Sequence, residues 1–241
     1  MEHRLIAFGC SFTFGHGLED CWDENYQSCG KYPSNLAWPS VLAQILKKEC
    51  VNMSLPGSSN KLILSRITNF EFQKKDIAVI LWSKTPRVSI FTNKDHYVNL
   101  STAYIQDRKD KHDYFWQTIE NYTGYNKEEY INLNKTYYTD YYEEYDALHD
   151  QFVRMNFVHN YLKKYKIKSY HLMMDTEIKE KNMKKFNHLM MDDINFKIFD
   201  WKKDYKIDTA LDDKFGWKAA HPGPKSQWLF ASNINKWFFK K

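Results

Sequence analysis

The 241-residue chain has no long apolar run and only four cysteines. No apolar stretch approaches the ~20 residues that a helix needs to cross a bilayer, so a membrane protein is not expected. The sequence begins Met-Glu-His-Arg and enters an apolar segment at once, which predicts a cytoplasmic protein without a signal peptide. No internal repeat or low-complexity linker divides the chain.

Metal sites and phosphate-binding loops are also missing from the sequence. The cysteines, Cys10, Cys21, Cys29 and Cys50, lie in the first fifty residues at spacings that match no standard metal template. We expect reduced thiols, with Cys10 packed beneath the turn that follows the first strand. No HxxxH, HExxH or carboxylate cluster indicates a metal, and no turn has the glycine spacing of a phosphate loop. Neither a metal nor a cofactor is therefore expected.

The net charge is small for the size of the chain. Lys and Arg total 35 and Asp and Glu total 30, which gives +5 at pH 7. The lysines occur as scattered pairs at the ends of predicted elements, a pattern typical of a solvated surface. A nucleic-acid partner is not favoured by this distribution.

Short apolar runs alternate with segments of helical periodicity along most of the chain. The predicted strands are residues 4–9, 50–53, 77–82, 167–173 and 196–200. The predicted helices are residues 36–48, 59–73, 147–165, 177–191 and 224–239. This alternation predicts an α/β fold with a mostly parallel sheet of about five strands and helices on both faces. The length fits one domain over residues 1–241.

A tyrosine-rich insertion, at about residues 92–146, interrupts the alternation after the third strand. A structureless loop of that length is not expected inside a compact domain, so we predict a helical insertion near the carboxyl edge of the sheet. Its aromatic side chains fit three uses: a small core of its own, a contact in a homo-oligomer, or a platform for substrate.

Reactive residue types occur where the predicted strands end. Ser11 follows the apolar run Leu5–Phe8 in the segment Gly9–Gly15, which predicts a hydroxyl on a solvent-facing turn at the carboxyl edge of the sheet. A serine in this position also commonly caps the next helix. His221, followed by Pro222 and Gly223, is a candidate base. The turn at residues 54–60 offers backbone N–H groups at a helix start.

With Ser11 in Gly-x-Ser-x-Thr, Gly57 in Pro-Gly-Ser-Ser-Asn and His221 in His-Pro, the chain resembles the SGNH (GDSL-type) hydrolase superfamily. The resemblance implies a flavodoxin-like three-layer α/β/α fold. It also implies Ser11 as nucleophile, His221 as base, and the N–H groups of Ser11 and Gly57 as the oxyanion hole.

The sequence departs from the family pattern in two places. No Gly-x-Asn-Asp follows the third strand, so Asn60, Ser83 and Thr85 are the candidate side-chain donors to the oxyanion, and Arg87 is a candidate substrate-binding residue. Lys218 stands where the family has an aspartate three residues before the histidine. Asp208, Asp212 and Asp213 lie upstream; we select Asp213 as the orienting acid, with a Ser-His dyad as the alternative.

These residues predict a serine hydrolase that cleaves an acyl or acetyl ester of a carbohydrate or another small molecule. Two alternatives stay open: an O-acyltransferase that uses the same serine, and a binding module that has lost catalysis.

His16 lies just past Ser11, and we assign it to the loop rather than to catalysis. His159 lies on the apolar face of a helix, where a hydrogen-bonded core residue is expected.

Overall fold

Five parallel strands form the central sheet of the computed structural model. The structure describes residues 3–22, 31–91, 97–102, 113–176, 185–210 and 221–240, except for the side chains of residues 113–115, 118, 122 and 187. The strand order is β2-β1-β3-β6-β7. Counted along the sheet strands alone, this is the 2-1-3-4-5 order of flavodoxin-like folds, so the predicted fold class is confirmed.

The central strands are β1 (Arg4–Phe8), β2 (Glu49–Asn52), β3 (Ile77–Leu81), β6 (Lys168–Met174) and β7 (Asn195–Phe199). A separate antiparallel hairpin consists of β4 (Val88–Phe91) and β5 (Tyr97–Leu100). The α-helices are α1 (Ser11–Phe14), α2 (Trp38–Ile45), α3 (Asn60–Thr68), α4 (Asp113–Thr123), α5 (Lys127–Thr136), α6 (Glu144–Lys164) and α7 (Pro224–Phe238).

Each face of the sheet carries its own apolar core. Alternate residues of β1 point to opposite faces, so Ile6 and Phe8 pack with α3 and α6 while Leu5 and Ala7 pack with α2 and α7. All four side chains are buried. Full burial of a side chain such as Leu5 stabilises the fold by about 1.5–3 kcal/mol, which explains the continuously apolar strands.

The tyrosine-rich segment differs in detail from the prediction. It contains α4 and α5, as expected for a helical insertion, but it also contains β5, which pairs with β4 just before the segment in a hairpin that the sequence pattern did not predict. Tyr130, Val98 and Leu100 belong to a small buried cluster of this segment. Part of the insertion's aromatic content therefore packs its own core.

Two predicted segments differ from the structure or cannot be compared in full. Residues 12–33, between the first predicted strand and the first predicted helix, are expected to form a loop, but they include most of α1 and a 3₁₀ turn at Glu19–Cys21. Of the predicted helix at residues 177–191, residues 177–184 lie outside the described structure, and the remainder includes a 3₁₀ turn at Asn187–Leu189.

A hydrogen-bonded chain crosses the protein interior behind β3. The Trp82 indole N–H donates to His171 Nδ1 at 3.2 Å, and His171 Nε2 lies 3.1 Å from Ser169 Oγ. Ser169 Oγ lies 3.3 Å from His159 Nδ1, and His159 Nε2 lies 3.1 Å from Asp193 Oδ1. Because an indole only donates and a carboxylate only accepts, every bond in the chain runs from Trp82 toward Asp193 when both imidazoles are neutral. The expectation that His159 is a hydrogen-bonded core residue is confirmed.

Burial, reinforced by the nearby His159, lowers the pKa of His171 to about 3. The ring is therefore neutral at physiological pH, as the hydrogen-bond directions require.

Among the described helices, none is both long enough and apolar enough to cross a membrane.

Candidate active site

Ser11 is the first residue of α1, two residues after the glycine that follows β1. Its carbonyl oxygen accepts hydrogen bonds from Gly15 N and His16 N, each at 3.0 Å. The first amides of a helix have no acceptor within that helix, so the Ser11 N–H is available to a ligand oxygen. The side chain is only 5% exposed, so the turn is more enclosed than the sequence predicted.

His221 lies at the start of the segment that leads into α7. Its carbonyl oxygen accepts from Ala210 N at 2.9 Å, and Pro222 forms a β-bridge with Thr209. A Cβ on Gly223 would lie 2.5 Å from the Thr209 carbonyl oxygen, so only glycine fits this close approach. These contacts fix the backbone that carries the imidazole.

The His221 ring packs against the helical turn that begins with Ser11. Its centroid lies 5.7 Å from that of Phe12, edge to face, and 4.9 Å from that of His16. Phe12 in turn stacks on Trp201 at 4.8 Å. The predicted base is thus held against both the residue that follows Ser11 and the residue whose N–H binds the Ser11 carbonyl.

Gly57 occupies a tight turn after β2, which neighbours β1 in the sheet. The Ser58 N–H donates to the Leu55 carbonyl at 3.3 Å, and Gly57 has φ +77° at the third position of the turn. With Pro56 before it, this is the arrangement of a type II turn, in which glycine is strongly preferred. Leu55 N donates to Gly9 O at 3.3 Å and ties this turn to the segment before Ser11.

The Asn60 carboxamide binds the backbone of Ser83 on both sides. Asn60 Oδ1 accepts from Ser83 N at 2.7 Å, and Asn60 Nδ2 donates to Ser83 O at 3.0 Å. A carboxamide nitrogen carries two hydrogens, so one N–H of Asn60 remains beyond this pair. Ser83 Oγ accepts from Arg87 Nη1 at 3.3 Å. Ser83 and Arg87 of the loop after β3 are therefore linked to the start of α3.

Asp208 has a structural role in the described part of the chain. Its carboxylate accepts from Lys225 N at 3.0 Å and from Ser226 N at 2.8 Å, and so binds the first amides of α7. The predicted orienting acid Asp213, its alternative Asp212 and the departure at Lys218 all lie outside the described residues.

A second network, which the sequence did not predict, joins the segments that carry the candidate residues Ser11 and His221. The Tyr205 hydroxyl lies 2.9 Å from Phe12 O and 3.1 Å from Gln227 Oε1. Gln227 Nε2 donates to Pro222 O at 3.2 Å, and its Oε1 accepts from Trp38 N at 2.9 Å. Burial raises the pKa of Tyr205 well above its ordinary value, so its hydroxyl remains a donor.

The contact between His16 and His221 was also missed, because the sequence assigned His16 to the loop. The only signal for it was its position five residues after Ser11.

Within the described ranges, no group of three or more His, Cys, Asp and Glu side chains is placed to hold a metal ion.

Of the comparisons with known proteins, only the one with solved structures finds similar proteins. No protein-family model and no curated protein matches the chain. A protein described as lipolytic, of the G-D-S-L family, from Desulfitobacterium hafniense is 12% identical, with a TM-score of 0.48 over 98% of this chain and 99% of its own. The extracellular lipase of Streptomyces rimosus is 10% identical, with a TM-score of 0.46 over 96% and 99%.

The acetyl xylan esterase Est2A of Butyrivibrio proteoclasticus is 12% identical, with a TM-score of 0.49. The match covers 98% of this chain but only 65% of that longer protein. The G-D-S-L family is the one that the sequence motifs resemble. At these identities and TM-scores the similarities carry no argument about activity, so the roles of residues rest on this chain's own geometry.

Proposed function

We propose that this protein hydrolyses carboxylic esters, with Ser11 as nucleophile and His221 as general base. The observation that carries the proposal is the packing of the His221 ring against Phe12 and His16, on the turn that begins with Ser11. A weakly nucleophilic hydroxyl becomes reactive when an imidazole beside it accepts its proton.

In the proposed reaction, Ser11 Oγ attacks the ester carbonyl while His221 removes the hydroxyl proton. The negative charge that develops on the carbonyl oxygen is stabilised by the N–H groups of Ser11 and Gly57, with the second N–H of Asn60 as the proposed side-chain donor. His221 then returns the proton to the alcohol as it leaves. Water repeats the sequence on the acyl-enzyme, which releases the acid and frees Ser11.

His16 is proposed to hold the His221 ring in place. Its backbone is fixed to the Ser11 carbonyl, and its own ring lies against His221. Asp213 remains the proposed orienting carboxylate, and a Ser-His dyad supported by His16 is the alternative. An acyl or acetyl ester of a carbohydrate or small molecule remains the proposed substrate, with Arg87 as a substrate-binding residue.

Hydrolysis of p-nitrophenyl acetate by the purified chain tests the proposal. We expect turnover by the wild type, a loss of at least about 10³-fold in Ser11→Ala, and full activity in Ser65→Ala, a matched change on α3. The melting temperatures of all three proteins should agree closely, because removing one oxygen at Ser11 opens little space. Equal turnover by wild type and Ser11→Ala would exclude Ser11 as the nucleophile.

A further inference from the structure

A cavity of about 220 Å³ lies between the start of α3, strand β4 and the first turns of α6. Asn60, Ser89 and Gln151 are among the residues that line it; Ser11 and His221 are not. Its volume is below the ~300–1,000 Å³ of typical drug-sized sites, so a ligand the size of a single ring is the expected occupant.

Gln151 is the unusual residue of this cavity. It lies on the inward stripe of α6, between Leu148 and Phe152, where an apolar side chain is expected. The side chain is 1% exposed, and neither Oε1 nor Nε2 has a hydrogen-bond partner. Gln227, equally buried, has partners on both atoms. A buried carboxamide without partners destabilises a fold, and a ligand in this cavity that supplied both a donor and an acceptor would remove that cost.

The other residues that line the cavity indicate which kind of ligand fits it. Its charged residues balance, with three basic and three acidic side chains: Lys61, Arg87, Arg154, Glu143, Asp146 and Asp150. A balanced wall favours a neutral ligand over an ion. Tyr137, Tyr141 and Tyr142 add aromatic faces and hydroxyl groups, which suit the apolar faces and polar edges of a saturated ring.

We propose that this cavity binds a small neutral ring that carries several hydroxyl groups, with the Gln151 carboxamide donating to one hydroxyl and accepting from another. The cavity adjoins the candidate active site through Asn60, which lines it and binds the backbone of Ser83. The inference rests on the proposed function in that Asn60 and Arg87 belong to both sites, but binding requires no chemistry at Ser11 and is therefore measured separately from ester hydrolysis.

Calorimetric titration of the full chain with methyl β-D-glucopyranoside tests the proposal. We expect saturable binding that Gln151→Leu weakens about tenfold, the effect of losing one or two neutral hydrogen bonds. Gln44→Leu, a matched change at an exposed position of α2, should bind as the wild type does. Gln151→Leu should melt at or above the wild-type temperature, because its carboxamide has no bond within the protein to lose.

Tyr141→Ala provides a second variant, since this side chain is 74% exposed and its truncation spares the core. It should also weaken binding. Two comparison ligands test the proposed chemistry of the ligand. Cyclohexanol has one hydroxyl on a similar ring and tests the need for several hydroxyl groups, whereas glucuronate adds a charge and tests the preference for a neutral ligand. Absence of saturable binding, equal binding by Gln151→Leu, tighter binding of either comparison ligand, or a marked fall in the melting temperature of Gln151→Leu would overturn the proposal.

Discussion

The imidazole rings of His16 and His221 lie with their centroids 4.9 Å apart and their planes tilted by 47°. His16 is tied to the same turn as Ser11, because its N–H donates to the Ser11 carbonyl at 3.0 Å. The proposed base therefore contacts a second histidine, which belongs to the same segment as the proposed nucleophile.

Substitution of His16 tests whether this contact orients His221. We expect His16→Ala to lower kcat about tenfold or more with little change in KM, since a poorly oriented imidazole affects the chemical step rather than binding. His16→Gln retains a planar polar group and should recover part of kcat. Steady-state kinetics with p-nitrophenyl acetate gives both constants, and an unchanged kcat in His16→Ala would contradict the positioning role.

The loop carboxylates are tested in the same assay. We expect Asp213→Asn to lower kcat, by up to about 10⁴-fold, if its carboxylate fixes the tautomer of His221, and Asp212→Asn to retain activity. Asp208→Asn should instead lower the melting temperature, because Asp208 binds the first amides of α7. Full activity in both Asp212→Asn and Asp213→Asn would indicate a Ser-His dyad.

Asn60 and Ser83 are expected to differ in importance. Asn60→Ala removes both hydrogen bonds to the buried Ser83 backbone, so it should destabilise the fold by about 2 kcal/mol and impair turnover. Ser83→Ala loses only the acceptor for Arg87 and should have the smaller effect on both. Urea unfolding and ester kinetics measure the two effects. A larger loss of turnover in Ser83→Ala would indicate that the side-chain donor to the oxyanion lies in the loop after β3.

The lowered pKa of His171 in the folded protein predicts that the free energy of unfolding depends on pH. Its pKa is about 3 in the folded protein against about 6.5 when unfolded, so between these values the unfolded chain binds more protons. Stability should therefore fall as the pH drops below 6.5, with a contribution from His171 on the order of 1 kcal/mol per pH unit. His171→Gln should show a shallower slope in urea unfolding from pH 6.5 to 4.5. Identical slopes would show that the neutral ring carries no such cost.

The sheet and its flanking helices were predictable because their signals are local. Continuous apolar runs mark β1 and β3, and helical periodicity marks α2 and α6. The β4–β5 hairpin was missed because its strands are short and lack a continuous apolar run. The motifs around Ser11, Gly57 and His221 were also recognisable, since each depends on a few neighbouring residues.

The contacts that assemble the site are not local, and the sequence did not reveal them. Tyr205 and Phe12 are separated by 193 residues, and Trp38 and Gln227 by 189. Residues this far apart meet only once the sheet order is set, and one sequence gives no record of which pairs meet. Gln151 could have been flagged as a polar residue on an apolar stripe, but its lack of partners is visible only in the fold.

Covalent labelling with diisopropyl fluorophosphate tests the central claim most directly. If Ser11 is activated by His221, Ser11 Oγ forms a bond to phosphorus, fluoride leaves, and His221 takes the hydroxyl proton. Mass spectrometry should then find stoichiometric modification at Ser11 in the native chain. The label should be absent from Ser11→Ala and from the urea-unfolded chain, and strongly reduced in His221→Ala. A native chain that remains unlabelled at Ser11, or labelling that persists in Ser11→Ala, would contradict the account.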